Sequence, residues 1–214
     1  MLEPLDEIFG SAEFEDDGWI AIDVARWQGD DLAVGLEVRP GGSAPHQHWE
    51  IACRGVRRSR LERQIEDRIE LLDEHVLLLP HQQVHEQLFI SSAPSNATAV
   101  VGDLWMAHRK VTADWLAAES LFNPHVSLVR LLEAGSGLLA SGPRVILEAY
   151  EEVLNSHDIR FNRIGTRDPV WWKDGRWVPE SEVLRVLVMG DSFVVAESFA
   201  LSPGHGGQNA GLVV

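Results

Sequence analysis

The chain has 214 residues, 45% of them hydrophobic, which is enough apolar surface for a folded core. Its formal charge of -15 at pH 7 repels nucleic acid and anionic membranes and excludes them as partners, whereas it attracts a basic protein. The single cysteine, Cys53, rules out an internal disulfide, and neither a secretory signal nor a membrane-spanning apolar run is found. We therefore expect a cytoplasmic protein.

The first part of the chain predicts antiparallel strands. Residues 19–27 and 32–38 alternate apolar and polar side chains on either side of a Gly-Asp-Asp turn, which is typical of a hairpin. Residues 46–53 predict a third strand that places Trp49 and Cys53 on one face and the histidines on the other. Further strands are predicted at residues 68–72, 76–79 and 88–91, with the apolar run 76–79 as a buried strand.

Helical spacing dominates the middle of the chain. Three helices are predicted: one capped by Ser95 or Asn96 and running to Leu116, one from Ser127 to Glu133, and one after Pro143. Gly135 is placed to end the second helix, and residues 135–142 have the composition of a loop.

The last quarter returns to strands. Residues 170–177 predict a hairpin around Asp174-Gly175, because this dipeptide suits a type I′ turn. Residues 183–189 and 193–201 predict a second hairpin, and residues 202–214 a flexible tail.

This order of elements predicts an α+β fold with an antiparallel N-terminal sheet, three central helices and C-terminal hairpins. We expect one domain over residues 1–201. Two halves, residues 1–124 and 125–201, are the alternative.

Histidines occur in a pattern that one metal-binding family shares. His46-x-His48 follows a Pro-Gly-Gly-Ser turn, and a second histidine segment spans residues 80–85. Over residues 32–90 this pattern resembles the cupins, which bind a metal inside a small β-barrel. The resemblance implies a divalent metal and the ligands His46, His48 and His85, with Glu50 as a fourth ligand or base. The alternative is that these histidines are solvated or hydrogen-bonded on the wet face of a sheet.

Residues 54–68 form a basic island in the acidic chain. Arg57, Arg58 and Arg60 are candidates for binding an anion, and pairing with the neighbouring Glu62, Glu66 and Asp67 is the alternative.

Three tryptophans lie on the predicted C-terminal hairpin. Trp171, Trp172 and Trp177 cannot all share one face of a regular hairpin, so at least one is expected to point away from the core. An exposed tryptophan is a good anchor for a partner.

The function that these features favour is protein binding, by an acidic module that neutralises a basic partner as immunity or antitoxin proteins do. No catalytic residue is predicted, and no cofactor apart from the metal. A cupin-like metal-dependent enzyme or sensor and a regulator with an apolar ligand pocket are the alternatives.

Overall fold

The structure is a computed structural model and describes residues 2–204. The chain divides into two compact units: unit 1 is Met1–His75 with Glu182–Val214, and unit 2 is Val76–Ser181. The alternative boundary after residue 124 falls inside unit 2. Ser202 and Pro203, predicted as part of the tail, belong to the last strand, and residues 205–214 lie outside the described part.

The described residues form six α-helices and fourteen strands, and the fold is α+β as predicted. The helices are α1 (Glu3–Phe9), α2 (Ala12–Asp17), α3 (Leu79–Gln82), α4 (Ala97–Thr112), α5 (Leu128–Ala134) and α6 (Arg144–Ser156). The strands are β1 (Trp19–Gln28), β2 (Asp31–Arg39), β3 (Gln47–Arg54), β4 (Arg58–Arg60), β5 (Ile65–Glu66), β6 (Glu70–Leu72), β7 (His85–Ile90), β8 (Gly137–Pro143), β9 (Phe161–Arg167), β10 (Val170–Lys173), β11 (Arg176–Pro179), β12 (Arg185–Met189), β13 (Ser192–Ala196) and β14 (Ser198–Pro203). Within residues 2–204, the helices are too short or too polar for any of them to cross a bilayer.

Unit 1 consists of two sheets that share a core. The five-stranded sheet has the order β14-β3-β2-β1-β5, and the four-stranded sheet has the order β4-β13-β12-β6. Alternation along the strands directs Ile20 and Val34 of the first sheet and Leu187 and Val194 of the second into one cluster of buried apolar side chains. The predicted hairpin of β1 and β2 is confirmed, with Trp19 opposite Arg39.

Unit 2 combines helices with a three-stranded antiparallel sheet of order β8-β7-β9. Helix α4 packs against α5 and α6, and α6 packs against β7 and β8. The apolar stripes of α4 and α6 bury Leu104, Ile146 and Leu154, as their helical spacing predicts.

A histidine lies in the core of unit 2. The ring of His108 contacts the Leu116 carbonyl through Nε2 and the Tyr150 hydroxyl through Nδ1, each at 2.7 Å. A carbonyl only accepts, so Nε2 carries a proton, and in the neutral ring Nδ1 then accepts from the Tyr150 hydroxyl. Burial raises the pKa of Tyr150, which keeps its hydroxyl protonated as the donor. Both nitrogens are satisfied, so this histidine has a structural role.

The predicted helix ends are confirmed at two positions. The Asn96 side chain accepts from the Ala99 N–H at the start of α4. Gly135 ends α5 in the left-handed conformation, with φ of 67°.

Three predictions of local structure were wrong, and two helices were missed. Residues 76–79 are helical, because a four-residue apolar run suits a buried helical turn as well as a strand and Pro80 fits the first turn of α3. The expected loop at residues 135–142 contains β8, whose pairing with β7 outweighs its glycines. Helix α4 stops at Thr112 instead of Leu116, because Ala113 and Asp114 both have positive φ. The two N-terminal helices were not predicted, since each buries few side chains.

Two glycines provide a matched test of the helix assignments. We expect Gly102→Ala to stabilise the protein by about 0.5–1 kcal/mol, because Gly102 is exposed within α4 and an added Cβ would meet no atom within 4 Å. Gly135→Ala should destabilise it by about 1–2 kcal/mol, because of its positive φ and because a Cβ would lie 2.6 Å from the Ala93 nitrogen. Urea unfolding curves measure both, and equal midpoints for the two variants would contradict the assignment.

Candidate protein-binding site

The predicted aromatic hairpin is present and forms a two-stranded sheet of its own. Trp172 lies directly opposite Trp177, and Lys173 lies opposite Arg176. The turn residues Asp174 and Gly175 have φ of 49° and 77°, and these positive values are those that a type I′ turn requires. The sequence signal at Asp174-Gly175 therefore identified the turn and the register.

One face of this hairpin is apolar and open to solvent. Trp172 and Trp177 are 55% and 61% exposed, and their rings meet edge to face with centroids 5.3 Å apart. Val170 and Pro179 form the next pair on the same side. We call these four residues, Val170, Trp172, Trp177 and Pro179, the aromatic face. It contains no charged side chain.

The other face of the hairpin is different in character. Trp171 and Val178 lie there with Lys173 and Arg176, and the Lys173 ammonium is 5.1 Å from the centre of the Trp171 ring. The three tryptophans therefore divide as the alternation predicts, and Trp171 already has an intramolecular contact. Trp172 and Trp177 are the pair that a partner can cover.

Covering the aromatic face would be energetically favourable. The exposed part of each indole is on the order of 100 Å², so a partner that removes it from water gains roughly 2–3 kcal/mol per ring. Paired aromatic side chains of this kind are frequent centres of protein interfaces. The aromatic face can thus act as a recognition surface.

The histidines of the cupin-like pattern belong to different sheets. His46 precedes β3 and its Nδ1 lies 2.8 Å from the Glu37 carboxylate, while His48 is within β3 of the five-stranded sheet. His85 begins β7 of the three-stranded sheet and its Nε2 donates to the Pro80 carbonyl at 2.9 Å. Burial lowers the pKa of His85.

The fourth predicted metal ligand, Glu50, faces Arg26, with 3.9 Å between their charged groups. Across residues 2–204, no three His, Cys, Asp or Glu side chains are grouped so that they could bind a metal ion. The metal site implied by the resemblance stays a prediction without support from this geometry.

The three candidate arginines have different environments. The Arg57 side chain is wholly buried and donates to Glu197 and to the Gly55 carbonyl, each at 2.7 Å, so it has a structural role. Arg58 and Arg60 lie over the Phe193 ring, with 5.7 and 5.3 Å between each guanidinium and its centre. Burial, and then the charge of Arg60, lowers the pKa of Arg58. Anion binding by Arg58 and Arg60 stays a prediction.

A cluster of charged side chains in unit 2 was not found from the sequence. Arg163 of β9 lies 3.1 Å from Glu86 of β7 and 3.2 Å from Glu151 of α6. The second helical carboxylate, Glu148, binds the exposed Arg144 at 2.8 Å. The sequence does not show which strand a helix face will meet, so these pairings had no local signal. The cluster joins α6 to the sheet.

Comparisons with protein-family models, with curated proteins and with solved structures found no match to this chain. The function is therefore inferred from the chemistry of its own side chains.

Removal of Arg163 should show that this cluster is structural. We expect Arg163→Met to destabilise the protein by about 2–4 kcal/mol, because Glu86 and Glu151 are mostly buried and would lose their cationic partner. The control Arg144→Met removes an exposed ion pair and should cost much less than Arg163→Met. Urea unfolding measures both. Equal costs would mean that the buried pairs contribute no more than the exposed one.

Cys53 should be unreactive in the folded protein. Its side chain is fully buried in the core of unit 1, and burial, followed by the charge of Asp31, raises the pKa of its thiol to about 12. We expect no reaction with a thiol-specific aromatic disulfide at pH 8 until urea unfolds the protein. Rapid reaction without denaturant would contradict the buried placement.

Proposed function

We propose that this protein acts by binding a basic protein partner through the aromatic face. The observation that carries the proposal is the pair Trp172 and Trp177, two indole rings in mutual contact, both more than half exposed on an uncharged surface. Large apolar side chains that stay in water usually mark interaction sites when they are contiguous. Neither ring is needed to fill a core.

The charge distribution supports a basic partner. Unit 1 has 21 Asp and Glu residues against nine Arg and Lys, a formal charge of -12, and unit 2 has twelve against nine, a charge of -3. The first 25 residues hold eight acidic side chains and no Lys or Arg. A field of this sign accelerates the approach of a cationic surface and slows the approach of an anionic one.

More specifically, we propose that the partner is a basic effector that the protein neutralises in the cytoplasm. Charge and size support this reading, since an acidic surface attracts a basic effector and exposed aromatic side chains are frequent anchors of interfaces. By the same argument, nucleic acid and membranes are not its partners.

Affinity capture with matched variants tests the proposal. The wild-type protein, the double variant Trp172→Ser with Trp177→Ser, and the control Trp27→Ser are immobilised and exposed to lysate of the native host. Trp27 is 56% exposed and lies in β1, outside the hairpin. We expect wild type and control to capture the same basic protein, and the double variant to bind the purified partner at least about 30-fold more weakly by calorimetry.

Two results would contradict the proposal. Capture of the same protein by all three forms with one dissociation constant would remove the aromatic face from the interface. A captured partner that is acidic, or whose affinity is the same at low and high salt, would contradict the electrostatic part.

A further inference from the structure

A groove in unit 1 lies between the first helix and the edge of the four-stranded sheet. Its volume is about 600 Å³, and it is lined by Leu2 and Phe9 from the α1 segment and by Ile69 and Leu71 beside and within β6. Leu2 and Ile69 are buried, so these apolar side chains form a floor that is continuous with the core of unit 1. The groove belongs to unit 1 and contains no residue of the hairpin in unit 2.

The wall of the groove is an edge strand. In the order β4-β13-β12-β6, β6 pairs with β12 on one side only, through Leu71 opposite Leu187. In the described part of the chain no strand pairs with its other side. The N–H and C=O groups on such an edge are available to another extended chain. The strand itself is three residues long, about 10 Å, and residues 67–69, which precede it along the chain, also line the groove.

The charges around the groove favour a cationic ligand. Arg68 is paired with Glu70, and Arg185 is paired with Asp73, so the basic side chains of the rim are neutralised within unit 1. Asp6 and Asp67 also line the groove. No ion pair to either carboxylate is found among residues 2–204, which leaves the rim with a net negative charge.

We propose that the edge of β6 binds an extended, basic segment of a partner protein by strand addition. The partner backbone pairs with β6, its apolar side chains cover Phe9 and Leu71, and its cationic side chains approach Asp6 and Asp67. The inference takes the basic character of the partner from the proposed function and assigns it a second contact surface. A second copy of this chain is disfavoured at the same edge, because it would bring Asp6 and Asp67 against their own like charges.

Defined peptides test the groove without knowledge of the partner. The probe is a fluorescein-labelled, end-blocked hexapeptide of alternating arginine and valine, titrated into the full chain and followed by anisotropy. One control peptide has glutamate in place of arginine, and another carries N-methyl groups on alternate backbone nitrogens. We expect only the unmethylated arginine peptide to bind, with amide shifts at residues 67–72 in NMR spectra. The double variant Asp6→Lys with Asp67→Lys should bind the arginine peptide roughly tenfold more weakly than the wild-type protein does.

Three outcomes of these measurements would overturn the proposed strand addition to β6. No binding of the arginine peptide, or equal binding of its N-methylated form, excludes strand addition; the second result would mean attraction by charge alone. A dimer through β6 in sedimentation without peptide would assign the edge to a second copy. The variant Trp172→Ser with Trp177→Ser should bind the peptide like wild type, so the groove and the aromatic face can fail independently.

Discussion

The register of the antiparallel strands decides which side chains of this protein are buried and which reach solvent. In the C-terminal hairpin, the positive φ values of Asp174 and Gly175 fix a two-residue turn, and the turn places Trp172 opposite Trp177. A slip of one residue would exchange the two faces and bring Lys173 to the side of Trp177. The apolar and uncharged character of the aromatic face thus depends on one turn.

The two units would contribute different physical properties to the proposed recognition. Unit 1 carries most of the negative charge, and its influence extends over about 8 Å at physiological ionic strength. Unit 2 carries the paired indoles of the aromatic face, which act only in contact. In the proposed function, charge favours the approach of a basic partner, and the aromatic rings provide the close packing that would hold it.

Local patterns in the sequence predicted the elements whose signal lies within a few residues. The hairpin at Asp174-Gly175 and the end of α5 at Gly135 are of this kind. Residues 76–79 were misassigned because a short apolar run has no period, and residues 137–143 because the pairing of β8 comes from a distant strand. Arg163 contacts Glu86, which lies more than 70 residues earlier in the chain, and no local pattern indicates that these two segments meet. The metal site predicted from His46, His48 and His85 has the same difficulty. Spacing along the chain does not show whether two strands share a sheet.

Oxidative footprinting of the complex with its partner tests the central claim most directly. Hydroxyl radicals label exposed indole rings, and mass spectrometry gives the rate for each tryptophan. The account predicts that the partner strongly reduces labelling of Trp172 and Trp177 and leaves the rate of the exposed Trp27 unchanged. Equal labelling of Trp172 and Trp177 with and without the partner would contradict it.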